Sequence, residues 1–260
     1  MLTRGLAALE PDSAAQHLLL CDNNKTARHS ELGSALLLIA TALPGVEDVL
    51  AEPVGIYNNP AKPGMKPDFV FGPVSGAPAP YSSKQVVVDH TIVNPLCATH
   101  LRNAATTAGA AAAAAHKEKN TRCKPHLDAA NYEFVPLAVE LFGRMAPEAT
   151  SFLNMLATTV AKHQLSSTLV PADPSAASRA RDRLADQIFT GWQRLLSCSL
   201  VRIRARRVRT MLAKARAKAN GNVVSRATQG SYLYSNISRS SVRRLLLEVR
   251  AGAPRSRWLG

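Results

Sequence analysis

The 260-residue chain lacks any run of about 18 apolar residues, which excludes an ordinary transmembrane helix. Its longest greasy stretch, Ala35 to Leu43, is too short and is followed by acids. The N-terminus carries no apolar signal core, so the expectation is an intracellular chain that is not secreted. Cysteine is scarce. Cys21, Cys97, Cys123 and Cys198 stand apart without a close pair, which fits a reducing compartment and supplies no complete metal site. G-x4-GK[ST], G-x-G-x-x-G and G-x-S-x-G are missing, so a nucleotide-binding enzyme or a serine hydrolase has little support. The apolar fraction of 46% is ordinary for a globular chain and argues against full disorder.

The C-terminal third has little acid. Residues 177–260 hold 19 basic and 3 acidic side chains, against 13 basic and 15 acidic in residues 1–176. The overall charge of +14 is therefore a strongly basic region joined to a near-neutral one. Such asymmetry points to a polyanion, most often nucleic acid. A solvated tail with no specific partner is the plainer reading of the same charge. Pro171 and Pro174, among Ser, Ala and Asp, mark 166–178 as a linker.

Residues 30–43 read as a helix with Ser30 as N-cap. Residues 50–57 and 67–72 read as short strands, and 85–93 (QVVVDHTIV), rich in β-branched residues, is the strongest strand signal. A long helix is expected over Leu101–Lys124, built on the alanines 110–115 and ended by Pro125. Residues 133–141 read as a strand that Pro136 bends or places near an edge. Pro147–His163 reads as a helix with a stripe of Phe152, Met155, Leu156 and Val160. The order α-β-β-β-α-β-α defines an α/β layered fold with a mixed sheet. Beyond it, Arg179–Lys218 has Leu184, Ile188, Trp192, Leu195 and Leu196 at helical spacing among arginines, a basic amphipathic helix or helix pair. Residues 219–260 are rich in Gly, Ser and Arg, with one helical candidate at Ser241–Arg250.

Three acids stand where strands normally avoid them: Asp68 in KPDFVF, Asp89 in VVVDHTIV and Glu140 in VPLAVEL. An acid in an apolar strand carries a desolvation cost unless something pairs with it. A divalent cation is one such partner, and Mg²⁺ is held by one or two carboxylates with water and phosphate. Consecutive strands would bring Asp68 and Asp89 together, a geometry suited to metal-assisted phosphodiester hydrolysis with a nearby lysine. Lys117, Lys119 and Lys124 are available on the following helix. Solvated strand-end acids are the bland alternative. Glu52 and Glu140 are secondary candidates. Glu52 would reach the metal from the preceding strand or be held by Lys or Arg, and Glu140 would fix the turn at Gly143. His17 and Cys21 form an H-x3-C pair, half a tetrahedral zinc site, with no partner pair ahead of them. The other histidines show no paired metal spacing. His29 reads as packing or capping the first helix, and His90 as pointing to the sheet face opposite Asp89.

The α-β-β-β-α-β order, with PD on one strand and VVVD on the next, resembles the PD-(D/E)XK, restriction-endonuclease-like fold. More narrowly, it is similar to the endonuclease domain at the C-terminal end of non-LTR retrotransposon polyproteins. Four blocks carry the likeness: QHLLLC…RHSEL (Gln16–Leu32), EP…KPDFVFG (Glu52–Gly72), VVVDHTIVNPL (Val86–Leu96) and HKEKNTRC…YEFVPLAVELFG (His116–Gly143). They cover roughly residues 16–165, and their order and spacing carry more weight than any one of them. The resemblance implies a DNA-nicking domain that uses Mg²⁺ or Mn²⁺ in the nucleus. Asp68 and Asp89 would be the metal-binding acids and Lys119 the catalytic lysine, with Lys117 as its substitute. Thr91 occupies the position, two residues after the second acid, where the plain pattern has lysine. Arg122-Cys123 stands where relatives often show Lys-Tyr. The zinc knuckle lacks its first two ligands, so zinc is not expected in this segment, and no reverse transcriptase accompanies it.

The implied organisation is a zinc-knuckle-like remnant at 1–29, a restriction-endonuclease-like domain at 30–165, a linker at 166–178 and a basic helical or disordered tail at 179–260. These features describe a fragment or a decayed copy of an element. Three functions follow: a metal-dependent DNA endonuclease, a catalytically silent protein that binds DNA or RNA, and an interaction module using the basic amphipathic helix. Arg202, Arg204, Arg206, Arg207 and Arg209 are the candidate phosphate contacts.

Overall fold

The computed structural model describes residues 25–166 and 173–219. It shows an α/β fold with a four-stranded mixed sheet. Helix α1 (Lys25–Ala40) precedes strands β1 (Val49–Ala51), β2 (Phe69–Phe71) and β3 (Gln85–Val93). Helices α2 (Ala98–Thr106) and α3 (Ala110–Cys123) follow, then a 3-10 turn at Lys124–His126, strand β4 (Tyr132–Glu140), α4 (Pro147–Ser166) and α5 (Pro174–Ala219). The chain divides into two compact units, Met1–Ala213 and Lys214–Gly260. Of the second, only 214–219, the last residues of α5, are described. The His17–Cys21 pair, Pro171 and the helix expected at Ser241–Arg250 lie outside the described residues.

The strand order is β1-β2-β3-β4, antiparallel at the first two pairings and parallel between β3 and β4. Parallel pairing forces a crossover, which α2 and α3 supply. It also explains β3: a strand covered on both faces reads as a continuous Val/Ile run rather than an alternating one. Val86, Val87 and Val88 are all fully buried. Pro136, which has no N–H to give, sits on an outer strand, as the sequence required.

Helix faces follow from spacing. In α1, Leu32, Ala35, Leu36, Ile39 and Ala40 are buried, and in α4 Ala149, Phe152, Leu153, Leu156, Ala157, Val160 and Ala161. Both sets repeat at three and four residues, one apolar stripe per helix. With Val86, Val88, Leu137 and Val139 they form the main core, and a second cluster joins Tyr57, Val70, Val87, Cys123 and Phe134.

The structure departs from the sequence reading at five places. Ser30 is no N-cap, because α1 is already under way at Lys25, and the Ser30 carbonyl accepts the Ser34 hydroxyl inside the helix. The strand expected over 50–57 stops at Ala51. Glu52 adopts φ +47°, a left-handed conformation that ends strand pairing. The helix expected over Leu101–Lys124 is two helices, broken where Gly109 takes φ +85° as the N-cap of α3. Of the expected linker, Pro174–Ser178 is instead the first turn of α5. Asp173 caps it, accepting from Ser175 N at 2.9 Å and Ala176 N at 3.2 Å, with Pro174 at the first helical position.

The fifth difference is where the basic helix starts, at Pro174 rather than Arg179; of the helix or helix pair expected, the chain forms the single 46-residue helix. Trp192, Leu196, Leu200 and Ile203 are buried in the same core as the sheet, and Phe189 packs against it. The compact unit thus runs to Ala213, beyond the break placed at 166–178. Replacing a buried Trp by Ala costs about 3–5 kcal/mol. Trp192→Ala should therefore lower the urea unfolding free energy of the whole chain by about that amount. A loss under 1 kcal/mol would mean that α5 does not share this core.

Candidate functional site

The register of β2 and β3 builds the site. Phe69 pairs with Val88, Val70 with Val87 and Phe71 with Val86, antiparallel. Just before these pairs, the Asp68 N–H donates to Val88 O at 3.0 Å, one position out of the ladder register, and this slip leaves the Asp68 carboxylate close to that of Asp89, the residue after Val88. Two carboxylates this close repel. Both are largely buried, so the surroundings must supply positive charge.

The two carboxylates meet that need separately. Asp89 points to the α3 face, where it forms an ion pair with Lys119 Nζ, and Cys123 Sγ lies 3.6 Å from its Oδ2. Asp68 meets histidines. Its Oδ1 is 2.9 Å from His29 Nε2 on α1, and its Oδ2 is 2.7 Å from His90 Nδ1 and accepts the His90 backbone N–H at 2.5 Å. The two imidazoles stack with centroids 3.9 Å apart. His90 Nε2 lies 2.8 Å from the His29 carbonyl oxygen. Asp89 and His90, adjacent on a strand, thus face opposite sides of the sheet.

These contacts shift proton affinities. Burial by itself raises the Asp68 carboxyl, but contact with His29 and His90 outweighs it and holds the group well below the usual carboxylate range. The hydrogen bond to Asp68 raises His29 above its ordinary value, against burial. Asp89 moves up, through burial first and the Asp68 charge second, with Lys119 opposing. Burial also raises the Cys123 thiol and pushes the Tyr57 phenol far up. The Tyr57 hydroxyl is enclosed without a hydrogen-bond partner.

The three principal sequence candidates, Asp68, Asp89 and Lys119, therefore come together. Thr91 does not supply the amine, since α3 reaches over from the crossover to do so. The secondary candidates are elsewhere. Glu52 is exposed and pairs with Lys66 at 3.2 Å, while its backbone N–H donates to Asp68 O at 2.8 Å. Lys117 is exposed, two residues and roughly 200° around α3 from Lys119. Glu140 is buried and accepts the Ala111 N–H at 3.2 Å, capping the start of α3. Since Asp89 pairs with Pro136 and Val93 with Glu140, Glu140 lies roughly 13 Å along the strands from the acid pair. Its backbone carbonyl closes the turn to Gly143 N at 2.7 Å, as the sequence suggested. Of the candidate arginines, Arg202, Arg206 and Arg209 are exposed on α5, and Arg206 pairs with Glu31 at 2.6 Å. Arg204 and Arg207 belong to α5, and their side chains lie outside the described positions.

The sequence missed His29 and His90 as partners of Asp68. They are separated by 61 residues, so no local spacing announced them. The nearest signal was His90 itself, a polar ring within a strand that is otherwise Val and Ile. His29, Asp68 and His90 form the one cluster of ligand-type side chains among the described residues whose donor atoms all lie within 4.8 Å of one another. Two imidazoles and a carboxylate can hold a metal ion. They are not an all-oxygen set, and the donors nearest Asp68 do not suit Mg²⁺.

Compared with protein-family models, curated proteins and solved structures, the chain matches none. No helix among the described residues is long and apolar enough to cross a membrane.

The shifts give a pH signature in metal-free protein. Asp68, depressed, contributes stability above its unfolded value near 4 that is lost as pH falls. His29, raised, contributes stability below its unfolded value near 6.5 that is lost as pH rises through its higher folded value. The contact is strongest where both are charged, between roughly pH 4 and 6.5. In EDTA, the gap in urea midpoint between wild type and Asp68→Asn should peak in that window and narrow on both sides. A gap that stays constant from pH 3 to 9 would show that the contact is not ionic.

Proposed function

We propose that residues 30–165 form a metal-dependent DNA-nicking domain of the restriction-endonuclease-like type, similar to those of non-LTR retroelements. The observation that carries this reading is the closeness of the Asp68 and Asp89 carboxylates, with Lys119 brought onto Asp89 from the crossover helix. The order around it is α-β-β-β-α-α-β, with a pair of crossover helices where the resemblance has one.

The residues have separable tasks. Lys119 places a fixed ammonium beside the acid pair, where a phosphodiester oxygen would gain charge during cleavage. Asp89 orients that ammonium and has its own proton affinity raised by burial and by Asp68. Asp68, kept ionised, presents a carboxylate to a cation or to the attacking water. The resemblance implies Mg²⁺ or Mn²⁺, whereas the two imidazoles beside Asp68 favour an ion that takes nitrogen ligands. A bound divalent ion supplies Lewis acidity and a more acidic water.

A second reading, a catalytically silent protein that binds DNA or RNA, is favoured by the exposed arginines Arg202, Arg206 and Arg209 on α5. In that case log K falls with log salt in proportion to the phosphate contacts. The interaction-module reading is weaker, since Trp192 and Phe189, its apolar face, pack into the chain's own core.

Supercoiled plasmid incubated with the purified chain and Mg²⁺ or Mn²⁺ should become nicked. Lys119→Ala and Asp89→Asn should each slow nicking at least 100-fold, with DNA retention on a gel shift unchanged. Nicking at equal rates in wild type and both variants would reject the assignment. Binding without nicking in the wild type would favour the silent protein.

A further inference from the structure

We propose that His29, Asp68 and His90 bind one divalent transition ion of the Zn²⁺, Co²⁺ or Fe²⁺ class. The site stands whether or not the domain cuts DNA. Its ligands come from three elements, α1, the entry to β2, and β3, so it forms only in the folded chain.

The argument starts from the tautomer of His90. Its Nε2 is 2.8 Å from a backbone carbonyl, which can only accept, so Nε2 carries the hydrogen. In a neutral ring the other nitrogen is then a lone pair. That nitrogen, Nδ1, lies 2.7 Å from Asp68 Oδ2, a carboxylate oxygen that can also only accept. Two acceptors at that distance repel unless a cation stands between them. A proton on Nδ1 would turn the contact into an ion pair, but that nitrogen makes no well-aligned hydrogen bond, so a proton there is poorly placed. The ring is 2% exposed, so water does not relieve it either. A metal ion does, and imidazole nitrogen is a ligand that Zn²⁺, Co²⁺ and Fe²⁺ take readily and Mg²⁺ does not.

The surroundings have the form of outer support for metal ligands. Ligating histidines commonly give their second N–H to a backbone carbonyl, which fixes ring orientation. Here the carbonyl belongs to His29, so one ligand's backbone braces the other's ring. Asp68 Oδ2 is fixed in turn by the His90 backbone N–H. Gly33 in α1 leaves room for the ring, since a Cβ there would sit 2.9 Å from His90 Cε1. A glycine inside a helix costs about 1 kcal/mol against alanine, so the space is not free. A tetrahedral ion with bonds of about 2.0–2.1 Å spaces its ligand atoms roughly 3.3 Å apart. The nitrogen–oxygen separations of 2.9 and 2.7 Å are within a small torsional opening of that. His29 is 40% exposed, which leaves an open side for water or a substrate oxygen as a further ligand.

The test uses the full chain stripped with EDTA and titrated with Co²⁺, followed by visible absorption and native mass spectrometry. One Co²⁺ per chain is expected, displaced by equimolar Zn²⁺ and retained against a thousandfold excess of Mg²⁺. His90→Ala disturbs a buried ring, so the deciding variants are His29→Ala, at a part-exposed helix position, and Asp68→Asn. Each should keep the wild-type circular dichroism and weaken Zn²⁺ binding at least tenfold. No bound Co²⁺ in the wild type, or equal affinity in both folded variants, would overturn the proposal. Failure of the wild type to nick plasmid would leave this result untouched, so the two readings fail separately.

Discussion

Two largely buried carboxylates held close to each other are the constraint on which the rest of the site depends. Asp68 leads into β2, whose Phe69 and Phe71 are buried against β3, and Asp89 follows the buried Val86–Val88 run, so packing the strands also brings the acids together. The surrounding elements answer this repulsion from both sides of the sheet. Helix α1 brings His29 and makes room for His90, and α3 brings Lys119. Neither helix buries only apolar surface. Each also delivers a nitrogen to an acid that could not otherwise stay where the strands put it.

The strands and the acid–lysine set were legible because their signals are local. The run QVVVDHTIV needs nothing beyond its own composition to read as a doubly covered strand, and β3 spans those same nine residues. Asp89 and Lys119 were legible as exceptions: an acid inside that run, and lysines on the helix that must cross back over it. The histidines were not, because their meaning lies in the fold. His29 is ordinary on a helix until α1 docks beside β3. Glu140 looked like a third site acid for the same reason Asp89 did, and only the crossover shows that its partner is a helix start.

Other misreadings have similarly specific causes. The alanine run 110–115 drew the helix reading back across Thr106, Thr107 and Gly109, poor helix formers that mark the break, where one residue with positive φ redirects the chain between α2 and α3. In α5 the apolar stripe was legible at Leu184, Ile188, Trp192, Leu195 and Leu196, but its continuation through Leu200 and Ile203, among the arginines, was not. Trp192, Leu196, Leu200 and Ile203 recur at four, four and three residues and are buried, while Arg202, Arg206 and Arg209 on other faces remain exposed. Net charge described the exposed part of this helix and said nothing of the part that packs.

The cap that Glu140 places on α3 has a consequence in lengths. From the level of Glu140 back to that of Asp89 is four strand residues, roughly 13 Å. From Ala111, held by Glu140, to Lys119 is eight helical residues, about 12 Å. Helix and strand are two rulers pinned at a shared zero, and the lysine is the mark that coincides with the acid. The side chains between the marks include buried ones such as Ala112 and Ala115, and their number is fixed as firmly as their size. One residue added between 112 and 118 would swing the ammonium about 100° around the helix and carry it off Asp89.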